Sequence, residues 1–290
     1  MTCLTYELNN PQSQIYRWFA SKQKSSGDRL IKCHNQTMNL SLTIRPEGQI
    51  KDLALVGTAF VYAFRWHLGL LTHNFSQTVA SYNLNSNVAN QLLQAQNNRE
   101  KAIACLLFAA VEKQYRSGSV HEIASILLNS NCSSFQLKPE LKYVSVMVDD
   151  LANLIDSLPS VWNIELDNLS SNKCVMNATF SGSDYIAADA QQIIDGMLIK
   201  CFTTLKKSPF TQQHFWQQIA YVLMDWDNEY SIDKICWYYA RQKALFIYPI
   251  ESLIKDLGKL RAEFRDFVVD NFYGDEDEFV DYLSLPSSMF

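Results

Sequence analysis

An α/β fold, with a helical N-terminal half packed on a small mixed β-sheet core, follows from three features of the sequence. Apolar residues recur at helical spacing through most of residues 1–160. Two short β-rich runs then meet at Asp195-Gly196, a dipeptide that supplies the positive φ a type I′ hairpin turn needs at both corners. A helical stretch and two further β-rich runs follow that hairpin. Composition agrees with a folded chain: 48% hydrophobic and 19% charged residues exclude disorder, and nine glycines and seven prolines exclude collagen-like or linker-like material.

Residues 11–22 carry Ile15, Trp18 and Phe19 on one helical face, with Asn10 as the N-cap ahead of Pro11. Residues 52–71 form a long apolar helix. Residues 86–115 continue in that style, with Leu92, Ala102, Leu106 and Ala110 on the buried face. Arg99 and Lys113 fall near that stripe and leave the continuity of the helix open; Gly118 ends it. Residues 120–128 and 138–158 are further helices, the second closed by Pro159. After Trp162 the texture changes. Residues 174–180, 191–194 and 197–203 read as strands, 210–224 as a helix, 232–241 and 244–248 as strands, and 250–273 as a closing amphipathic helix. The division is a mainly helical region over 1–160 and an α/β core with a C-terminal helix and acidic tail over 161–290.

Twenty-five basic against thirty acidic residues give a net charge of −5, which argues against a general nucleic-acid coat but leaves room for a local basic groove. Seven cysteines (Cys3, Cys33, Cys105, Cys132, Cys174, Cys201, Cys236) are odd in number, scattered and without a CxxC pair, against both a disulfide framework and a zinc site. The opening Met-Thr-Cys-Leu-Thr-Tyr-Glu has no basic stretch before an apolar core, so no signal peptide is expected, and the sequons at Asn35, Asn74 and Asn177 are chance. The longest apolar stretches, 53–64 and 102–111, fall short of the ~20 residues of a bilayer span. A soluble cytoplasmic protein without membrane contact is the expectation.

Chemistry-bearing residues gather around the hairpin. Asn177-Ala-Thr-Phe-Ser-Gly-Ser-Asp184 leads into Ala188-Asp-Ala-Gln-Gln-Ile-Ile-Asp-Gly-Met-Leu-Ile-Lys-Cys-Phe-Thr-Thr204. Gln217-Gln-Ile-Ala-Tyr221 follows, then Val222-Leu-Met-Asp-Trp-Asp-Asn-Glu-Tyr230 and Tyr239-Ala-Arg-Gln242. On these residues the chain resembles RecB-type nucleases of the PD-(D/E)xK family, which have a restriction-endonuclease-like fold, over roughly 177–253. Gly57-Thr-Ala-Phe60 and Glu112-Lys-Gln-Tyr-Arg-Ser-Gly118 are weaker pieces of the same likeness. An Asp-Gly hairpin alone is common. The hairpin with Gln-x-x-x-Tyr after it, in this element order, is more specific.

The resemblance implies a site that has changed. Active members hold a divalent metal between an Asp on the first hairpin strand and an Asp or Glu on the second. A Lys two residues later activates the attacking water. Those three positions fall on Gln191, Lys200 and Phe202, so catalysis is expected to be lost and no cofactor is expected. An ammonium at 200 repels a metal but can meet a phosphate directly. Asp184, Asp189 and Asp195 flank the hairpin, and Glu112 falls near the family's upstream acid. Asp189, Asp195 and Glu112 are the outside candidates for a rebuilt metal site, set against a loop hydrogen bond for Asp189 and turn chemistry for Asp195.

Lys200, Lys206 and Lys207, beside Trp216, Gln217 and Tyr221, make a candidate nucleic-acid surface of cations, amides and a stacking ring, or else a solvated lysine cluster. Asp225, Asp227 and Glu229 begin like a calcium loop, but Tyr230 stands where its glycine belongs, which leaves a solvated helix end. His34, His67, His73, His121 and His214 share no ligand spacing. Cys201 reads as a small core residue. Asp275, Glu276, Asp277, Glu278 and Asp281, with Phe279, Tyr282, Leu283 and Leu285, form an acidic tail that is solvated, docks a partner or covers a basic groove.

The expected function is that of a pseudonuclease: a catalytically degenerate PD-(D/E)xK-like protein that binds DNA or RNA, or assembles with a protein partner, in a nucleic-acid-processing or anti-phage defence system. A metal-dependent nuclease with displaced ligands and a protein–protein adaptor without nucleic-acid binding are the alternatives.

Overall fold

The structure, a computed structural model, describes residues 2–119, 121–129, 142–166 and 174–272. The chain enters through a two-residue strand, β1 (Thr2–Cys3), and a short helix, α1 (Leu4–Asn9), that buries Leu4 and Leu8. In α2 (Gln14–Lys22), Ile15, Trp18 and Phe19 point inward, as their spacing predicts. The N-cap is Ser13 rather than Asn10: its hydroxyl accepts from the Tyr16 amide at 3.0 Å, while Asn10 closes a turn on the Gln12 amide. A hydroxyl nearer the first apolar residue displaces the earlier amide. Periodicity does not announce α3 (Lys24–Leu40), whose inward face is built of Gly27, His34 and Met38 instead of a run of large apolar residues.

Two helices that read as continuous are each divided. α4 (Leu53–His67) starts on Asp52, which accepts from the Leu55 amide at 2.9 Å, and stops before Gly69; α5 (Leu70–Asn74) then restarts. The 86–115 stretch splits into α6 (Ser86–Leu92) and α7 (Asn98–Ser117) because Asn97 caps a new helix. Its side chain accepts from the Glu100 amide and donates to the Glu100 carboxylate, a reciprocal cap. Arg99 and Lys113, misfits on a single wheel, reach Asp149 and Asp52 in ion pairs. α7 ends at Gly118. α8 (Glu122–Asn129), α9 (Lys142–Ser157) and α10 (Pro159–Leu166) follow. Pro159 opens α10, a place where its missing N–H breaks no helical bond.

Next come β2 (Cys174–Ala178), β3 (Ile186–Ala187), β4 (Ala190–Ile194) and β5 (Met197–Phe202). β4 and β5 form the expected hairpin, with Ile194 opposite Met197 and both Asp195 and Gly196 at positive φ, 46° and 76°. A side chain at 196 would lie 2.8 Å from the Ser231 carbonyl oxygen, so this corner needs glycine for space as well as conformation. α11 (Gln212–Met224), capped by the Thr211 hydroxyl, leads to β6 (Lys234–Tyr239) and β7 (Ala244–Pro249). The closing helix is also divided, into α12 (Ile250–Leu253) and α13 (Leu257–Phe272), because Asp256 accepts from the Lys259 amide and starts a new helix.

Among the described residues the main sheet runs β2-β4-β5-β6-β7, antiparallel except for the β5–β6 pair, whose crossover carries α11. Strand alternation divides the side chains between two cores. Met197, Ile199, Cys201 and Tyr238 join α4, α7 and α9 on one face; Leu198, Ile235, Trp237 and Tyr239 join α1, α2, α11 and α13 on the other. The sheet is therefore covered on both faces. Helices from before residue 160 occur in both layers, so residues on either side of 160 share each core. β1 pairs in parallel with β3 and ties the first residues beside the hairpin. Among the described residues no helix is long and apolar enough to cross a membrane.

Candidate functional site

A cleft of about 910 Å³ opens where the end of β5 meets α1, α4, α7 and α11. Helical spacing places its walls: Tyr62 and Arg65 on α4, Glu112 and Arg116 on α7, and Gln217 and Tyr221 on α11 are each three or four residues apart and share a face. Gln191, Lys200, Phe202, Lys206, Gln217, Tyr221, Asp189 and Glu112, all singled out in the sequence, line this one cleft. Lys207 is exposed on the loop beside it. Asp195 sits in the hairpin turn, away from the lining residues. Trp216 is corrected from a stacking ring to a core residue: it is 2% exposed and packs on Tyr16 and Phe19. The acidic tail lies outside the described residues.

The positions that the resemblance assigns to metal chemistry hold other chemistry. The Gln191 side-chain oxygen accepts from the Cys201 amide at 2.8 Å. Lys200 reaches into the cleft, and among the described residues no carboxylate lies within ion-pair distance of its ammonium. Burial holds that ammonium below the ordinary lysine range, with the field of Asp189 acting in the opposite sense. Phe202 stacks on Tyr239 at 5.0 Å and contacts His214 at 4.9 Å. A committed amide, a cation and a ring do not fit a divalent metal.

The outside acids are engaged as well. Arg116 donates to Asp189 through Nη2 and to Glu112 through Nε, both at 2.9 Å. The second oxygen of Glu112 accepts from the Tyr62 hydroxyl at 2.7 Å. Burial opposes the Arg116 charge, but the two carboxylates outweigh it and raise its pKa. One guanidinium thus pairs with both candidates and offsets one of their two charges, and among the described residues no group of three or more His, Cys, Asp or Glu is placed to hold a metal ion.

Arg65, like Tyr62 and Arg116, is a cleft residue that sequence reasoning missed. It is 1% exposed and donates to Gln192 Oε1 at 3.3 Å, to Asn177 Oδ1 at 3.0 Å and to the Gln191 carbonyl, all neutral acceptors. Burial lowers its pKa, and no carboxylate among the described residues is ion-paired with it. Arg65 and Lys200 therefore bring positive charge to the cleft with no ion-paired carboxylate among the described residues, while Glu112 and Asp189 act on them at longer range. His214, beside them, stays neutral at physiological pH: burial, then Lys200 and Lys206, lower its pKa to about 4.

Other residues hold the walls in place. Gln217 donates to Thr5 Oγ1 at 2.9 Å, and Tyr221, 4% exposed, stacks on Phe180 at 5.4 Å. The Gln-x-x-x-Tyr pair thereby fastens α1 and the segment after β2 to α11. Arg241 and Asp150 form a fully buried bidentate pair at 2.8 and 2.6 Å. Arg241 also donates to the Ile44 and Thr203 carbonyls, and Gln242 donates to that of Thr204, so the loop carrying Lys206 hangs on this pair. Tyr239-Ala-Arg-Gln242 is visible in the sequence, but a partner 91 residues away leaves no local pattern.

Two lesser expectations also meet the structure. Cys201 is buried, and burial pushes its thiol up to about 12, as befits a core residue. Asp225 is not solvated: it is fully buried and accepts from the Glu229 and Tyr230 amides, closing the turn after α11. No family model, no curated protein and no solved structure matches this chain.

Proposed function

We propose that this chain is a catalytically degenerate PD-(D/E)xK-like protein whose cleft receives a phosphate of a DNA or RNA strand without cleaving it, as the binding or assembly subunit of a larger complex. The observation that carries this reading is Lys200. Its ammonium stands where the resemblance puts the second metal-binding acid, inside a cleft and, among the described residues, without a carboxylate at ion-pair distance. The strand order supports a restriction-endonuclease-like core, since an antiparallel hairpin passes through α11 into a parallel strand.

Binding follows from the two cations that no carboxylate among the described residues pairs with. A phosphate oxygen entering the cleft exchanges water for charge-assisted hydrogen bonds from Lys200, in the field of the buried Arg65. Gln192, Asn177 and the Gln191 carbonyl already hold the Arg65 guanidinium in place, so little ordering remains to oppose binding. With a net charge of −5 over the chain, attraction is confined to this groove and falls with salt.

A mobility-shift and cleavage experiment on the full chain, with DNA and with RNA and with and without Mn²⁺, tests the reading. Binding that ignores Mn²⁺, with no cleavage, is expected. Mn²⁺-dependent cleavage that disappears in Asp189→Ala replaces it with the displaced-ligand nuclease. Absence of binding at about 50 mM salt replaces it with the adaptor.

A further inference from the structure

Tyr82 and Tyr115 are 68% and 51% exposed, yet their rings stack on one another, with centroids 5.6 Å apart and planes at 25°. An exposed, mutually ordered pair of rings offers a flat face on which a third ring can stack. Neither ring lines the cleft, but the segments that carry them are joined to residues that do. Tyr115 lies on α7 within one turn of Glu112 and next to Arg116, both of which line it. The segment carrying Tyr82 is tied to two other lining residues: the Ala80 amide donates to the Tyr62 hydroxyl at 3.3 Å, and Asn177 Nδ2 donates to the Gln77 carbonyl at 3.4 Å.

The surroundings are polar. Gln77 and Asn83 are exposed on the segment that carries Tyr82, and Arg116, paired with Glu112 and Asp189, is exposed next to Tyr115, a setting that suits a nucleic-acid strand better than an apolar protein face.

We propose that the Tyr82–Tyr115 pair is a base-stacking platform that extends the cleft to take single-stranded nucleic acid, an unpaired base lying on the rings while the adjoining backbone runs into the cleft toward Lys200. The inference rests on the cleft being a phosphate site. Bases within a duplex are already stacked and paired, so a ring platform selects strands whose bases are free. Stacking ignores the sugar, and thymidine and uridine strands both fit.

Fluorescence anisotropy of the full chain tests this with oligo(dT) and oligo(U) of about 15 nucleotides, with a tetranucleotide short enough to occupy the cleft alone, and with a duplex of the longer length. Tyr82→Ala and Tyr115→Ala should each weaken the long strand by roughly 10-fold and leave the tetranucleotide unchanged. Tyr82→Phe and Tyr115→Phe should bind like the wild type, because stacking uses the ring and not the hydroxyl. Lys200→Glu should weaken both lengths. If the alanine variants hold the long strand at full strength, or the duplex binds as tightly as the single strand, the platform is overturned while the cleft reading stands. If the wild type binds none of these oligonucleotides, or Lys200→Glu alters neither length, the cleft reading itself falls and takes the platform with it.

Discussion

Lys200 disfavours the protonated form of His214 across the cleft, so the protonation of His214 depends on what the cleft holds. Burial first, then the fields of Lys200 and Lys206, hold the histidine pKa near 4, and an anion beside Lys200 offsets one of those fields and moves the pKa part of the way toward the ordinary value of about 6.5. Between those limits, binding takes up protons and tightens as pH falls. Calorimetric titration of an oligonucleotide at about pH 5.5, in two buffers of different ionisation enthalpy, should show fractional proton uptake that His214→Gln removes. His34 is a structural counterpart. It is fully buried between Phe210 and Phe246, with ring centroids at 4.5 and 3.7 Å, and burial lowers its pKa to about 3. The unfolded chain protonates this residue below about pH 6.5, while the folded chain keeps it neutral. The unfolded state therefore binds more protons between those values, and stability falls as pH drops through that window. The slope from His34 reaches about 1.4 kcal/mol per pH unit. Urea midpoints at several pH values for wild type and His34→Phe should diverge as the medium is acidified. At this scale the positions Gln191, Lys200 and Phe202 are legible from the sequence because they sit within one hairpin. Arg65 and Arg116 are not, since their meaning lies in partners 127 and 73 residues away.

The β4–β5 hairpin is the element that sequence reads best, because its turn chemistry is local and stringent. Gly196→Ala forces a side chain into the left-handed region and against the Ser231 carbonyl, and should cost at least about 1–2 kcal/mol in urea unfolding. Helix ends read less well. Hydrophobic periodicity passes straight through Asn97 and Asp256, and the reciprocal Asn97–Glu100 cap shows that a polar side chain, not a gap in the apolar stripe, sets the break. α3 escapes notice for the opposite reason, since its buried face uses a glycine and a histidine that hydropathy does not count. The loop between β5 and α11 depends on tertiary chemistry alone. Asp150→Ala leaves Arg241 buried and unpaired, and should destabilise the chain by about 3–5 kcal/mol. Combining it with Arg241→Met should recover much of that loss, because no buried charge then remains.

Across the whole molecule, a sheet covered on both faces sets Lys200 at the end of β5, and the helices of both layers close the cleft around it. The chain is acidic overall, with a net charge of −5, so the proposed affinity for an anionic strand rests on a few contacts and not on a general field. Each phosphate contact releases counterions and adds to the steepness with which binding weakens as salt rises. The decisive measurement is therefore the salt dependence of single-strand binding by the wild type and by Lys200→Gln, which removes the charge without adding a repulsive one. If Lys200 meets a phosphate, the variant binds more weakly at every salt concentration, with a log–log slope shallower by about one. Equal slopes and equal affinities for the two proteins would contradict the proposed contact, because Lys200 would then touch no phosphate.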